Sequence, residues 1–266
     1  MDYEKLADAI GAWMREYAER AGAQGYVVGL SGGIDSSVTA AVAARGLGVD
    51  RTLGVLMPCH SQPEDAEYAT LLAEVLGIET NTVDLTESCN ALEHALEQAL
   101  TGQVPPGDED SERVRMAYSN IKPRLRMTTL YFLAQSHNYL VAGTGNRPEM
   151  MVGYFTKYGD GGVDVEPLGD LYKHEVRGLA RALGVPEPII TRPPSAGLWP
   201  GQTDEGELGI TYDELDAILI ALAREEPSPA SPEMTDRVRR MVAASAHKRA
   251  APPVFPLRRA ERQVQM

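Results

Sequence analysis

The sequence predicts an α/β fold, a doubly wound parallel sheet with helices on both faces. Three observations carry this. Short apolar runs at residues 26–30, 53–57, 78–85 and 139–143 are rich in β-forming side chains and bounded by Gly, Pro or polar residues. Helix-length segments separate these runs, and alternating strands and helices require parallel pairing through right-handed crossovers. The string SGGIDSS at residues 31–37 joins the first strand directly to a helix.

Taken in order, residues 2–21 read as a helix. Leu6, Ile10, Met14 and Tyr17 recur at steps of three or four and form one apolar stripe, with Trp13 beside it. This helix packs on its own sheet or on another subunit. The strand at 26–30 follows, then the glycine turn. Ser31-Gly32-Gly33 adopts backbone angles that a Cβ resists, so its N–H groups can line a small concavity. A helix N-terminus fed by such a turn is an anion site, because unpaired N–H groups and the helix dipole face the ligand. No Lys follows the glycines, so this is not a P-loop. Asp35 places a carboxylate where a phosphate would sit, and two neighbouring anions require a divalent cation between them. The turn therefore implies Mg²⁺ with Asp35 as an oxygen ligand. The structural alternative is a tight turn with Asp35 capping the helix.

Gly46 and Gly48 end the loop helix, and Pro58 stops the second strand. Residues 60–77 lead into and form a helix. Residues 78–85 form the third strand, with Asp84 reading as a turn cap near its end, and residues 87–101 form a helix. The segment QVPPGDED at 103–110 reads as a mobile surface loop. Residues 112–136 suggest a long helix interrupted near Pro123, on which Lys122, Arg124 and Arg126 form either a solvated basic face or an anion contact. The fourth strand ends in GTGNRPE at 143–149. That is the same topological place as the glycine turn, so Thr144 and Glu149 should face the same crevice, with Glu149 as a second metal ligand. Residues 150–169 and 193–209 read as long Gly-rich loops, the second a lid, with helices at 170–183, 210–223 and 232–246 around them. Phe155 and Tyr158 offer flat faces for a ring. His247-Lys248-Arg249 closes the last helix with cations that suit its dipole.

Composition narrows the function. The 266 residues carry a net charge of −13, which argues against non-specific nucleic-acid binding. No apolar run reaches the roughly 20 residues needed to span a bilayer. The N-terminus is acidic rather than signal-like, and the two cysteines, Cys59 and Cys89, sit in unrelated contexts far apart in the chain, which fits a reducing cytoplasm. Length gives a soft prior of one or two domains, and the incomplete sheet at 103–110 makes one the expectation.

SGGIDSS resembles the pyrophosphate loop of the N-type ATP pyrophosphatases. The strings NIKPRLRM, GTGNRPE, GYFTKYGDGGVD, PLGDLYK, PSAGLWPGQTDEGELG and HKR, in that order, resemble NAD synthetase over residues 3–253. The resemblance implies an adenine nucleotide alpha hydrolase-like fold and a homodimer with sites at the interface. It implies ATP- and Mg²⁺-dependent amidation of the nicotinate carboxylate of deamido-NAD by ammonia, releasing AMP and pyrophosphate. Gly29, Leu30, Ser31, Gly32, Gly33, Ile34, Asp35 and Ser36 match the ATP loop, and Asp35 and Glu149 match metal ligands. Thr144, Lys173 and Ser195 match further ATP contacts, while Arg124, Lys157, Asp164, His247 and Lys248 match deamido-NAD contacts. Asp35 and Lys173 are expected at the adenylation step, and Asp160 is the candidate for binding ammonium and accepting its proton. The synthetase helix starts at residue 2, so no glutaminase domain is expected. Two other readings remain open. One is a different pyrophosphatase of this type adenylating another acid, and the other is a non-catalytic nucleotide sensor on the same fold.

Overall fold

A computed structural model describes residues 1–100, 111–197, 199 and 201–255. The expected mobile loop at 103–110 lies outside the described residues. The elements are α1 (Tyr3–Ala21), β1 (Gly25–Gly29), α2 (Ile34–Leu47), β2 (Thr52–Leu56), α3 (Pro63–Leu76), β3 (Glu79–Thr82), α4 (Thr86–Leu100), α5 (Glu112–Ser119), α6 (Ile121–His137) and β4 (Tyr139–Ala142), followed by α7 (Arg147–Val152), α8 (Lys173–Ala182), α9 (Glu187–Ile190), α10 (Asp204–Leu208), α11 (Tyr212–Ala223) and α12 (Pro232–Ala244).

The four strands are all parallel, in the order β3-β2-β1-β4. Alternation along β1 explains why both faces are covered. Tyr26 and Val28 point into one core with α1, α2, α3 and α8, whereas Val27 points into a second core with α4 and α6. A third apolar cluster joins α7, α10, α11 and α12. The order reverses around β1, so the crevice at the switch point opens beyond the C-terminal ends of β1 and β4.

Helix α1 packs on its own chain, against α2. A Cβ on Gly46 would strike the Gly11 carbonyl, so the two glycines allow the helices to cross closely. The buried face is Ala7, Gly11, Met14 and Ala18, and Trp13 stays exposed.

Several expectations need correcting. The long helix breaks at Asn120, three residues before Pro123, because a proline is tolerated in the first turn of α6 but not in a helix interior. The 150–169 stretch is not one loop. Its first residues complete α7, and Val165 bridges Ala142 at the end of β4. The expected helix from 170 begins at Lys173, where Asp216 of α11 accepts the N–H groups of Lys173 and His174. The 193–209 stretch contains α10, and its base is closed by a bond from the Asp204 N–H to the Pro194 carbonyl. Cys59 after β2 and Cys89 on α4, far apart in the chain, are both free and buried in the same core; the Cys59 thiol donates to the Leu85 carbonyl and the Cys89 thiol to Glu93 Oε1 at 3.4 Å. Burial, then the neighbouring Cys59, pushes the Cys89 thiol up to about 12. Asp84 is the turn cap expected, accepting from the Thr86 N–H at 2.8 Å. Among the described residues no helix is long and apolar enough to cross a membrane.

Candidate active site

The crevice is a cavity of about 1210 Å³. Its floor is the turn after β1. Gly32 has φ +75°, and a Cβ there would collide with the Asp65 carbonyl of α3, so glycine is required on both counts. Ser36 and Ser37 hydroxyls donate to the Gly33 carbonyl at 3.0 and 2.8 Å and fix the turn. No side chain caps the N-terminus of α2, so its first N–H groups are left to an anion in the cavity. Arg192, on the cavity wall, braces this turn, donating to the Gly32 carbonyl at 3.5 Å and paired with Asp65 at 2.6 Å.

The turn after β4 supplies the second wall. Asn146 and Glu149 form a reciprocal capping box at the start of α7, which fixes the Glu149 side chain. Asn146 also donates through Nδ2 to Asp35 Oδ1 at 2.9 Å, tying the two turns together. Lys173 stands between both acids, with its ammonium 2.6 Å from Asp35 Oδ2 and 3.2 Å from Glu149 Oε1. It is fully buried and does not line the cavity, whereas Asp35 and Glu149 do. The Tyr212 hydroxyl bonds both Glu149 Oε1 (2.9 Å) and Asp204 Oδ2 (3.0 Å), and the Tyr212 ring lies over the Lys173 ammonium at 4.5 Å.

Three carboxylates thus face one ammonium. Burial opposes the charge on Lys173, but Asp35 and Glu149 outweigh it and hold its pKa above the usual value. For Glu149 the balance is reversed. Burial raises it, Lys173 opposes the rise, and the negative charges of Asp35 and Asp204 carry it up to about 7. The excess negative charge makes the place receptive to a further cation. Both Asp35 oxygens and Glu149 Oε2 each accept one protein donor and keep a second lone pair, whereas Glu149 Oε1 already accepts two, from Lys173 and Tyr212. Among the described residues no group of three or more acidic, His or Cys side chains could hold a metal alone. Two carboxylates beside a phosphate site nevertheless fit Mg²⁺, which takes its remaining ligands from phosphate and water.

The remaining expected residues divide. Gly29, Leu30, Ser31, Gly33, Ile34, Asp35, Ser36, Thr144 and Ser195 line the cavity, and Gly32 and Lys173 act from behind. Arg124, Lys157, His247 and Lys248 also line it and are knitted by main-chain bonds: Arg124 to the Lys157 carbonyl, Lys157 to the His247 carbonyl, and Lys248 to the Gly153 and Phe155 carbonyls. Asp164 stands apart. Its oxygens accept the Val141 N–H (2.8 Å) and the Tyr131 hydroxyl (3.2 Å), and it does not reach the cavity surface. Of the three cations on α6, Arg124 and Arg126 reach the cavity; Arg126 is anchored to the Met57 carbonyl. Asp160 lines the cavity, accepts the Thr156 N–H at 2.8 Å, and is raised above the carboxylate range by burial.

Sequence reasoning missed Tyr212, Asp204, Glu207, Tyr154 and Arg192. Tyr212 opens α11 and has no local signal. Asp204 and Glu207 lay within a quoted acidic string, but only their contacts separate them from solvated neighbours: Tyr154 donates toward Asp204 and Glu207 at 3.1 and 2.9 Å.

Residues 6–252 match the family model described as NAD synthase. The chain is 46% identical over 254 residues to an NH(3)-dependent NAD(+) synthetase of Carboxydothermus hydrogenoformans, covering 96% of this chain and 98% of that one. Its fold is similar to an NMN synthetase from Francisella tularensis, with TM-score 0.84, 33% identity, and 96% and 99% of the two chains covered. It is also similar to an NH3-dependent NAD synthetase from Campylobacter jejuni, with TM-score 0.77, 26% identity, and 96% and 100% covered.

Proposed function

The chain belongs to the NAD synthase family, and on that premise we propose that it uses ATP to amidate the nicotinate carboxylate of deamido-NAD with ammonia. The observation that carries the reading is the pair Asp35 and Glu149, held by Lys173 and Asn146 at the mouth of an uncapped helix beside a glycine turn.

A carboxylate is a poor acyl donor, so its oxygen first attacks the α-phosphorus of ATP, and pyrophosphate leaves. The α2 N–H groups receive phosphate oxygens, and the buried Lys173 ammonium adds positive potential from behind without touching the cavity surface. Asp35 and Glu149 would hold Mg²⁺, which supplies charge neutralisation to the leaving pyrophosphate. Ammonia then attacks the acyl-adenylate carbon, and AMP departs. Asp160 holds the ammonium and takes its proton, and burial makes its carboxylate more basic than an exposed one. Arg124, Lys157, His247 and Lys248 form the dinucleotide end, with the Phe155 and Tyr158 rings beside two of those cations. Asp164 then acts by fixing the wall through Val141 and Tyr131.

The same reading covers the assembly. We take residues 1–266 as one synthetase domain that dimerises through a face including α6. That helix carries both Arg124 and Phe132, the latter 71% exposed. The free buried thiols suit a reducing, cytoplasmic setting.

A product assay tests the reading. The protein is mixed with ATP, Mg²⁺ and ammonium, and with either deamido-NAD or nicotinate mononucleotide; glutamine replaces ammonium in a parallel arm. NAD and equimolar AMP from ammonium are expected. Preference for the mononucleotide would favour the activity named for the Francisella relative. ATP binding with no AMP would favour a sensor, and ADP would overturn the reading of the glycine turn.

A further inference from the structure

Three consecutive residues after α12 bond one after another along residues 150–157. The Arg249 guanidinium donates to the Met150 and Met151 carbonyls at 3.0 and 2.6 Å. The Lys248 ammonium donates to the Gly153 and Phe155 carbonyls, and the His247 carbonyl accepts the Lys157 ammonium at 2.6 Å. Past the end of α7 this stretch forms no further helix or strand, so its carbonyls need partners from elsewhere. Arg249 does more than its two neighbours. It also donates to the Val242 carbonyl at 2.9 Å, in the last turn of α12, and to Ser245 Oγ at 2.8 Å. One guanidinium therefore bridges the C-terminal turns of α7 and α12, where both helix dipoles favour a cation. The contact is close: Gly153 has φ +76°, and a Cβ there would strike the Ser245 side chain. His247 and Lys248 line the cavity, whereas Arg249 does not.

We propose that Arg249 is a positioning residue for the dinucleotide: by clamping the end of α7 to the end of α12, it fixes the wall at 153–157 that carries Phe155 and Lys157. This rests on the reading above, in which that wall receives deamido-NAD. Arg249 touches no substrate and acts through main chain. The first turn of α7 has separate ties, from Asn146 to Asp35 and from Glu149 to Lys173 and Tyr212. Loss of the clamp therefore falls on the dinucleotide side and leaves the ATP side in place. The shape of the side chain matters as much as its charge. A planar fork of N–H donors serves two helices at once, whereas a Lys ammonium keeps the charge but is a compact point with three donors.

The test uses the whole protein with Arg249→Ala and Arg249→Lys, and the Lys variant keeps the test decisive if the Ala variant fails to fold. Each is expected to raise KM for deamido-NAD about tenfold, with KM for ATP within about twofold of the wild type. Hydrogen exchange of the ligand-free proteins, followed by mass spectrometry, should quicken at 153–157 in both variants and stay unchanged at 26–30. An unchanged KM for deamido-NAD overturns the proposal, as does an equal rise for ATP or unchanged exchange at 153–157. A lower kcat with both KM values unchanged also overturns it, because a smaller folded fraction alone produces that pattern. Failure of the underlying reading looks different: the wild type then makes no AMP or NAD from deamido-NAD at all.

Discussion

The turns after β1 and β4 occupy equivalent places, each at the end of a neighbouring parallel strand and each opening a helix with an acid in its first turn. They are built by different means. The first works through main chain: glycine angles, serine hydroxyls folded back on Gly33, and an uncapped 14-residue helix. The second works through side chains. Its 6-residue helix is capped by Asn146 and Glu149, and its functional side chains are placed by bonds to Asp35, Lys173 and Tyr212. A backbone device is specified by a local string, whereas a side-chain device needs partners from α2, α8 and α11.

The largest expected effect asks whether the two turns form one site. Asp35→Asn and Glu149→Gln should each lower the rate of AMP formation about 10²–10³-fold. If they act as a unit, the double variant falls no further, and multiplicative losses in single-turnover assays would separate the turns. Asn146→Ala removes the bond between the turns and the α7 cap. Turnover should fall about 10–100-fold, with the melting temperature lowered modestly, as expected for a cap worth about 1 kcal/mol. A variant with normal turnover would leave Lys173 as the sole link that matters. Gly32→Ala attacks the first turn alone. With φ +75° and the Asp65 carbonyl in the way, about a tenfold rise in KM for ATP is expected, with the far-ultraviolet dichroism unchanged.

The smallest effect sharpens the comparison from beneath. Glu166 underlies only the second turn, accepting the Gly145 N–H, and burial pushes its carboxyl from 4.5 up to about 8. The folded state therefore holds this proton more tightly than the unfolded chain. Its stabilising contribution is complete below the unfolded value near 4.5 and is lost as pH rises through about 8. The melting temperature of the wild type should fall a few degrees further between pH 5 and 8.5 than that of Glu166→Gln. Parallel curves would show that Glu166 does not titrate in this window.

Much of the site was legible because its parts are short-range. The glycine turn, the acid after it and the GTGNRPE string each carry their chemistry within a few residues. The strands at 53–57 and 139–143 were placed to within a residue, because apolar runs stopped by Pro or Gly leave little freedom. The third strand was read too long. It lies at the sheet edge, where polar residues at 79–82 pair with β2 and the flanking apolar residues serve packing instead. Tyr212 was silent because nothing adjacent to it marks a buried phenol, and the shared burial of Cys59 and Cys89 was silent because it needs the end of β2 and α4 brought to one core.

By itself the sequence determined a parallel α/β fold, a glycine turn that opens a helix after the first strand, and the residue types around it. Those features follow from backbone sterics and hydrophobic periodicity, which act over a few residues. Only the tertiary structure decided that Lys173 is buried between Asp35 and Glu149, that Asp164 is a wall strut, and that Asp204 reaches Glu149 through Tyr212. Those arrangements depend on which side chains from distant segments share one low-dielectric space, and charge and hydrogen bonding there are fixed by neighbours in space rather than neighbours in the chain.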